Sequence, residues 1–207
     1  DGYPGVRAPY RSAYGVGVNA VEVRTPRLLV RRFAASDGPG LHGYLSRPEA
    51  VRFEPYPLQS LADCERVAAE RAASPDFWAV CLDATGELVG NLYLHRREPL
   101  AWRTYELGYV FHPEHWGRGC ATEAAAAMVT RCFEDEGGHR IEARCDPLNT
   151  ASWRLLERLG FRREGHLLRN ASFIDDAEDR PIWKDTYLYA VLASERDRWA
   201  GSRPPRR

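Results

Sequence analysis

Hydrophobic positions in this chain recur with a period of two in some segments and a helical period in others, and the two kinds alternate. LLVRRF (Leu28 to Phe33) reads as a first strand. Asp37 to Leu45 reads as a short helix that Gly38, Pro39, Gly40 and Gly43 weaken. Gln59 to Ala73 is a firmer helix, with Ser60 as N-cap and Pro75 just past its end. Phe77 to Asp83 and Glu87 to His95 are β-rich runs around a Gly-containing turn, the pattern of a hairpin. In TYELGYVF (Thr104 to Phe111) the residues Tyr105, Leu107, Tyr109 and Phe111 face one way and Glu106, Gly108 and Val110 the other. Ala121 to about Glu136 has one apolar helical face through Ala125, Met128, Val129, Cys132 and Phe133, and Gly137 and Gly138 stop it. A strand at His139 to Cys145, a helix at Thr150 to Leu159 capped by Asn149, and a last strand at Asp185 to Leu192 follow. With one further strand before the last, the order β, α, α, β, β, β, α, β, α, β, β predicts a mixed α/β domain, a central sheet flanked by helices.

Residues 1–22 lack a period and read as an N-terminal extension, serving a homodimer contact or a lid. Residues 23–195 carry the domain. Residues 196–207 end in GSRPPRR and read as a disordered basic tail.

The chemistry concentrates where the Thr104–Phe111 strand runs into EHWGRGCATEAAAA (Glu114 to Ala127). Side chains shrink through Gly117, Arg118, Gly119, Cys120 and Ala121 immediately before a good helix. The first N–H groups of a helix have no intrahelical partner, and the helix dipole favours negative charge there. Small residues let those N–H groups approach a pyrophosphate, and Arg118 adds a cation. A tightly packed helix start explains the same residues without a ligand, and spacing alone does not separate the two. A P-loop is excluded, because no GxxxxGK followed by Ser or Thr exists. A dinucleotide-binding GxGxxG fails at Thr122, and about three strands precede the loop instead of one.

Composition narrows the class without adding a site. The 207 residues carry 29 basic and 29 acidic side chains, so no net charge favours nucleic acid or an anionic membrane as partner. No apolar run approaches the roughly 20 residues of a membrane helix. The five cysteines form no CxxC pair and no Cys/His cluster with metal spacing, so no metal is expected. Their odd number points to reduced thiols and a cytoplasmic location.

GYVFHPEHWGRGCATEA resembles motif A of the GNAT acetyltransferases, Arg/Gln-x-x-Gly-x-Gly/Ala. Trp116 stands at the Arg/Gln position, a departure shared with the RimJ/RimL-like branch, while Gly119 and Ala121 match. NTASWRLLERLGF (Asn149 to Phe161) is similar to the family's second cofactor motif, and REGHLLR and DTYLYAVL resemble that branch's last strands. The resemblance runs from about Arg24 to Glu195.

The resemblance implies acetyl-CoA as donor and a primary amine as acceptor, either a protein N-terminus or a small molecule. It places the pyrophosphate on Trp116, Gly117, Arg118, Gly119, Cys120, Ala121 and Thr122. The pantetheine would lie beside Tyr109, Val110 and Phe111, with the Val110 N–H as oxyanion donor. Asn149 and Ser152 would contact the cofactor. Because the tyrosine position of the family is Leu156 here, Ser152 is the candidate donor to the departing thiolate. Glu106 is the candidate base, or else a substrate anchor. Phe53 and Tyr56 in RFEPYPL would line the acceptor cleft, and the acidic IDDAEDRPIWKD would lie at its entrance or be a solvated loop. Cys120 is read as a small loop residue, because no base is placed to activate it. His112 and His115 read as surface or loop histidines. An acyl-CoA sensor without turnover is the competing reading.

Overall fold

The computed structural model describes residues 22–195. The expectations for an extension and a disordered tail fall almost wholly outside that range. Strand β3 (Phe77–Leu82) shows how the sheet is built. Its Trp78 and Val80 enter one apolar cluster and Ala79 and Cys81 another, so alternation puts a core on each face. The first cluster is closed by α4 (Cys120–Glu134) and α5 (Thr150–Arg158). The second is closed by α1 (Gly38–Leu45), α2 (Pro48–Val51) and α3 (Leu61–Ala72).

Eight strands form one sheet. They are β1 (Val23–Arg24), β2 (Leu28–Arg32), β3, β4 (Leu88–Arg96), β5 (Thr104–Phe111), β6 (Arg140–Cys145), β7 (Arg162–Ala171) and β8 (Lys184–Leu192), in the spatial order β1-β2-β3-β4-β5-β6-β8-β7. All neighbours are antiparallel except β5 and β6. The mixed α/β architecture and the order of elements agree with the pattern read from the chain.

The glycines that weaken the α1 prediction have a packing role. A Cβ on Gly40 would come within 2.8 Å of Leu88 on the sheet, and one on Gly38 within 2.8 Å of Glu65 on α3. Glycine at these positions lets the helix lie this close to its neighbours. Its propensity penalty of about 1 kcal/mol per glycine is outweighed by burying Leu41, Tyr44 and Leu45 completely or nearly so. Ser60 caps α3 as expected, its Oγ accepting from the Asp63 N–H at 3.2 Å. Two short elements, β1 and α2, are too brief to show a period. The β7 strand is longer than REGHLLR and exposed along most of its length.

The parallel pair is the feature that positions the site. β5 and β6 are in register only from Thr104 to Glu106, against Arg140 to Glu142. β5 continues to Phe111 and β6 to Cys145 without further pairing, so the two strands diverge.

Candidate active site

Strand alternation decides which backbone groups face the divergence. The β4–β5 ladder pairs Thr104 with Arg97 and His112 with Val89, through Arg97 N–H to Thr104 O at 2.8 Å and His112 N–H to Val89 O at 2.9 Å. Even-numbered residues of β5 therefore turn their N–H and C=O toward β4. Val110 is one of these, opposite Asn91. Its amide is turned away from the opening, which corrects the expectation that the Val110 N–H meets a thioester carbonyl. The groups that face the opening belong to Leu107, Tyr109 and Phe111. The Phe111 carbonyl is already occupied, accepting from Trp116 Nε1 at 2.9 Å. Trp116 thus ties the loop to the end of β5.

The loop itself is shaped for close approach. Gly117 and Gly119 have φ of 71° and 80°, the left-handed region that glycine adopts freely. Nothing lies within 4 Å of a Cβ placed on Gly117. Gly119 is the N-cap of α4 and supplies no side-chain cap, whereas α3 and α5 are capped by Ser60 and Asn149. The first N–H groups of a 15-residue helix are thereby left open to an anion. The turn is held from outside by Arg27. Its Nη1 donates to the Arg118 carbonyl at 2.8 Å and its Nε to Glu123 Oε2 at 2.7 Å. Thr25 Oγ1 donates to the other Glu123 oxygen at 2.6 Å. Burial would push the Glu123 carboxyl up, but the bonds from Thr25 and Arg27 outweigh it and hold it below its ordinary value.

Ser152 lies on the first turn of α5, where its N–H donates to Asn149 Oδ1 at 3.2 Å. Asn149 is a cap as well as a cavity residue. The Tyr109 hydroxyl reaches Ser152 Oγ at 3.0 Å and its carbonyl at 3.2 Å. Burial pushes the Tyr109 phenol well above its ordinary value, against the opposing hydrogen bond from Ser152. Cys145, at the end of β6, lies beside the same serine, its thiol pushed up to about 11 by burial. A tyrosine does reach this serine, then, but from β5 and not from the helix position held by Leu156, which is buried.

Two cavities meet here. The larger, 690 Å³, is lined by Val110, Phe111, Trp116, Gly117, Gly119, Cys120, Ala121 and Thr122 on one side and by Thr150, Ala151 and Leu155 on the other. The smaller, 200 Å³, lies between Gly108 of β5, Ala143 and Arg144 of β6, and Phe173, Lys184 and Asp185 near the β7–β8 connection. Phe53, Glu54, Tyr109, Asn149 and Ser152 line both.

Some expected residues lie elsewhere. The backbone of Arg118 is engaged by Arg27, and Arg118 is not among the lining residues. Glu106 lines neither cavity; it sits near Arg97 at 4.0 Å and Arg144 at 3.8 Å in an ion-pair group with Glu142. Tyr56 lines neither and packs on the second core cluster, whereas Phe53 lines both. In the acidic segment, Arg180 binds both Asp176 and Glu178 at 2.8 Å, so much of that charge is paired on the surface. His112 and His115 lie in the turn between β5 and α4, as the loop reading expected, but are buried, each at 9% exposure. His115 lines the larger cavity, and His112 Nδ1 caps the turn, accepting from the Glu114 N–H at 3.2 Å. Cys120 is a buried packing residue.

Glu54 is the residue that reading the chain missed. It occupies the turn after α2, half-buried at the junction of the cavities. Burial raises its carboxyl to about 7, with Tyr56 and the Arg71 charge opposing. The available signal was a carboxylate set between Phe53 and Pro55 in an otherwise apolar and aromatic run.

A splayed parallel pair, an uncapped glycine turn on a helix start, and a polar junction between two clefts are the features this fold brings together. A family model described as an acetyltransferase (GNAT) domain matches residues 27–162. The uncharacterized N-acetyltransferase YnaD of Bacillus subtilis is 30% identical over 84% of this chain and 99% of its own length. A GNAT-family acetyltransferase from Bacillus anthracis, 31% identical, superposes with a TM-score of 0.76 over 84% of this chain and all of that one. A GCN5-related N-acetyltransferase from Brucella melitensis, 25% identical, gives 0.75 over 88% and 85%. The chain belongs to the GNAT acetyltransferase family, whose general reaction moves an acetyl group from acetyl-CoA to an amine.

Proposed function

We propose that this protein acetylates a primary amine that enters through the smaller cavity, with acetyl-CoA held in the larger one. The observation that carries this is the shared lining: Phe53, Glu54, Tyr109, Asn149 and Ser152 belong to both clefts, so donor and acceptor would meet there. The uncapped start of α4, with the Gly117 and Gly119 turn, fits a pyrophosphate. The outward-facing backbone of Tyr109 and Phe111 fits a pantetheine arm.

Acetyl-CoA supplies an activated acetyl thioester. The chain's own residues orient and exclude water. Trp116 and Arg27 hold the turn, and Phe53 and Tyr109 wall the junction. The Ser152 hydroxyl, hydrogen-bonded to Tyr109, lines both cavities and would neutralise the leaving sulfur. The acceptor is an α-amine of a protein N-terminus or a small-molecule amine, as in the RimJ/RimL-like branch. The smaller cavity mixes the carboxylates of Glu54, Asp146 and Asp185 with the cations Arg144 and Lys184, so its polar lining suits an amine without selecting one by net charge. A cytoplasmic location fits five buried, unpaired thiols.

The test is thermal unfolding with acetyl-CoA, CoA and no ligand, followed by thiol release with Ala- and Ser-starting peptides, spermidine and aminoglycosides. A rise in melting temperature with amine-dependent thiol release supports the proposal. A rise without release favours a sensor. No rise at saturating CoA would sink it.

A further inference from the structure

We propose that Glu54, on the turn between α2 and α3, accepts the proton that the incoming amine must lose, and so is a catalytic residue; this rests on the transferase reading above. Glu54 is the one carboxylate among the five side chains common to both cavities. Every other carboxylate of the region is engaged or off the junction. Asp185 accepts from His166 Nε2 at 2.8 Å and from the Arg169 N–H at 2.9 Å. Asp146 lies 4.0 Å from Lys184 and lines only the smaller cavity. Glu49 lines only the larger. Glu106, on β5, lines neither and faces Arg97 and Arg144.

The surroundings of Glu54 suit proton transfer. Pro55 follows it and restricts the turn. Tyr56, on the same turn, is hydrogen-bonded to it and leaves its other lone pairs to the junction, and the Arg71 charge of α3 acts on it. Arg71 is itself buried, its guanidinium 4.8 Å from the Phe77 ring centroid and 5.4 Å from that of Phe33. From β5, the Tyr109 phenol feels the Glu54 charge. Arg52 and Arg158 line the larger cavity, and Arg144 and Asp146 the smaller. Net desolvation leaves Glu54 at about 7, so both protonation states are populated near neutral pH, as a general base requires.

The step balances as follows. The ammonium of the acceptor gives its first proton to the Glu54 carboxylate, directly or through one water. The freed nitrogen lone pair forms the C–N bond to the acetyl carbon as the C–S bond breaks. The second nitrogen proton replaces the one that Ser152 hands to the leaving sulfur. Glu54 returns its proton to solvent. An alkyl ammonium near pKa 10 would otherwise stay protonated and unreactive at neutral pH.

The experiment is the pH profile of thiol release from pH 5.5 to 9 for wild type, Glu54→Gln, Glu54→Asp and Glu106→Gln. The amine is whichever of spermidine and the Ala- and Ser-starting peptides is turned over. The acetyl-CoA thermal shift and circular dichroism are recorded beside it. We expect Glu54→Gln to fold, to keep the acetyl-CoA shift, to lose about 10²–10⁴-fold in kcat, and to exchange the acid-side fall near pH 7 for one set by the ionisation of the amine itself, at higher pH. Glu54→Asp keeps that fall at reduced kcat, and Glu106→Gln keeps it too. A Glu54→Gln enzyme that retains the acid-side fall near pH 7, or a kcat within about threefold of wild type, overturns the proposal while the transferase reading stands. Wild-type protein that binds acetyl-CoA but releases no thiol with any of these amines overturns both.

Discussion

Arg27 and Glu123 lie 96 residues apart and form a fork of hydrogen bonds across the base of the donor loop, Arg27 Nε to Glu123 Oε2 at 2.7 Å and the Arg27 N–H to Oε1 at 3.0 Å. The same arginine holds the Arg118 carbonyl at 2.8 Å. A side chain on the rim of the sheet thus sets the conformation of a turn that touches the larger cavity. Glu123→Ala removes the acceptor and frees the Arg27 side chain. We expect KM for acetyl-CoA to rise about tenfold, equivalent to about 1.4 kcal/mol, with kcat changed less than about threefold. Steady-state kinetics at saturating amine decide it; an unchanged KM would mean that the loop keeps its shape unaided.

Gly119→Ala tests the turn more directly. A left-handed φ of 80° strains an alanine by about 1–2 kcal/mol, and its Cβ would meet the Arg27 guanidinium at 3.3 Å. Gly117→Ala has the same strain but open space around it. Both variants should lose melting temperature, and Gly119→Ala should lose more of the CoA-induced shift. Equal CoA shifts in the two would show that the Arg27 contact is irrelevant to binding.

The Tyr109–Ser152 contact separates two effects. Ser152→Ala should lower kcat by about 10²-fold if the hydroxyl is the proton donor, with KM for acetyl-CoA little changed. Tyr109→Phe keeps the ring and removes both hydroxyl contacts to Ser152, of which only the one to Oγ bears on the donor; at about 1 kcal/mol for that bond a loss of about fivefold is expected. Because burial holds the Tyr109 phenol above its ordinary value, neither rate nor stability should show a tyrosine titration below pH 10. A smaller loss for Ser152→Ala than for Tyr109→Phe would reassign the donor.

Glu54 also leaves a mark on stability. Its folded-state carboxyl is raised to about 7 from an ordinary value of 4.5. The folded state therefore holds a proton that the unfolded chain has already released between those two pH values. Its contribution is neutral below pH 4.5, turns unfavourable as pH climbs to 7, and levels off above. Glu54→Gln should thus raise the melting temperature at pH 8 by about 2–4 °C, for each kcal/mol relieved in a chain of this size, and leave it unchanged at pH 4. Differential scanning calorimetry at the two pH values checks the sign, and a drop at pH 8 would contradict the burial described for this side chain.

The acidic segment before β8 carries the opposite expectation. Asp176 and Glu178 are turned onto Arg180 at the surface. Asp176→Asn should change activity toward a cationic amine by less than about fivefold, since an exposed pair contributes at most about 1 kcal/mol. A larger loss of kcat/KM, sensitive to salt, would restore the segment as a steering element.

What the amino-acid sequence determined by itself is what local chemistry determines. Period-two alternation in Thr104–Phe111 set its two faces, and the apolar stripe through Ala125, Met128 and Cys132 set the buried side of α4, because side-chain direction follows from backbone geometry within a few residues. Caps at Ser60 and Asn149 and the shrinking side chains from Gly117 to Ala121 were equally local. The tertiary structure alone decided the rest. Where β5 leaves β6 depends on a register 36 residues long in sequence, Thr104 against Arg140, and the pairing of β5 with β4 turns the Val110 amide toward β4. Glu106 looked like the base because it lay on the right strand; pairing across the sheet put it among arginines instead. Glu54 carried no periodic signal, since a turn has no period. Its chemistry arises only when Arg71 of α3 and Tyr109 of β5 come against the turn that carries Phe53 and Glu54, three separate elements that half-bury one carboxylate at the place where two cavities join.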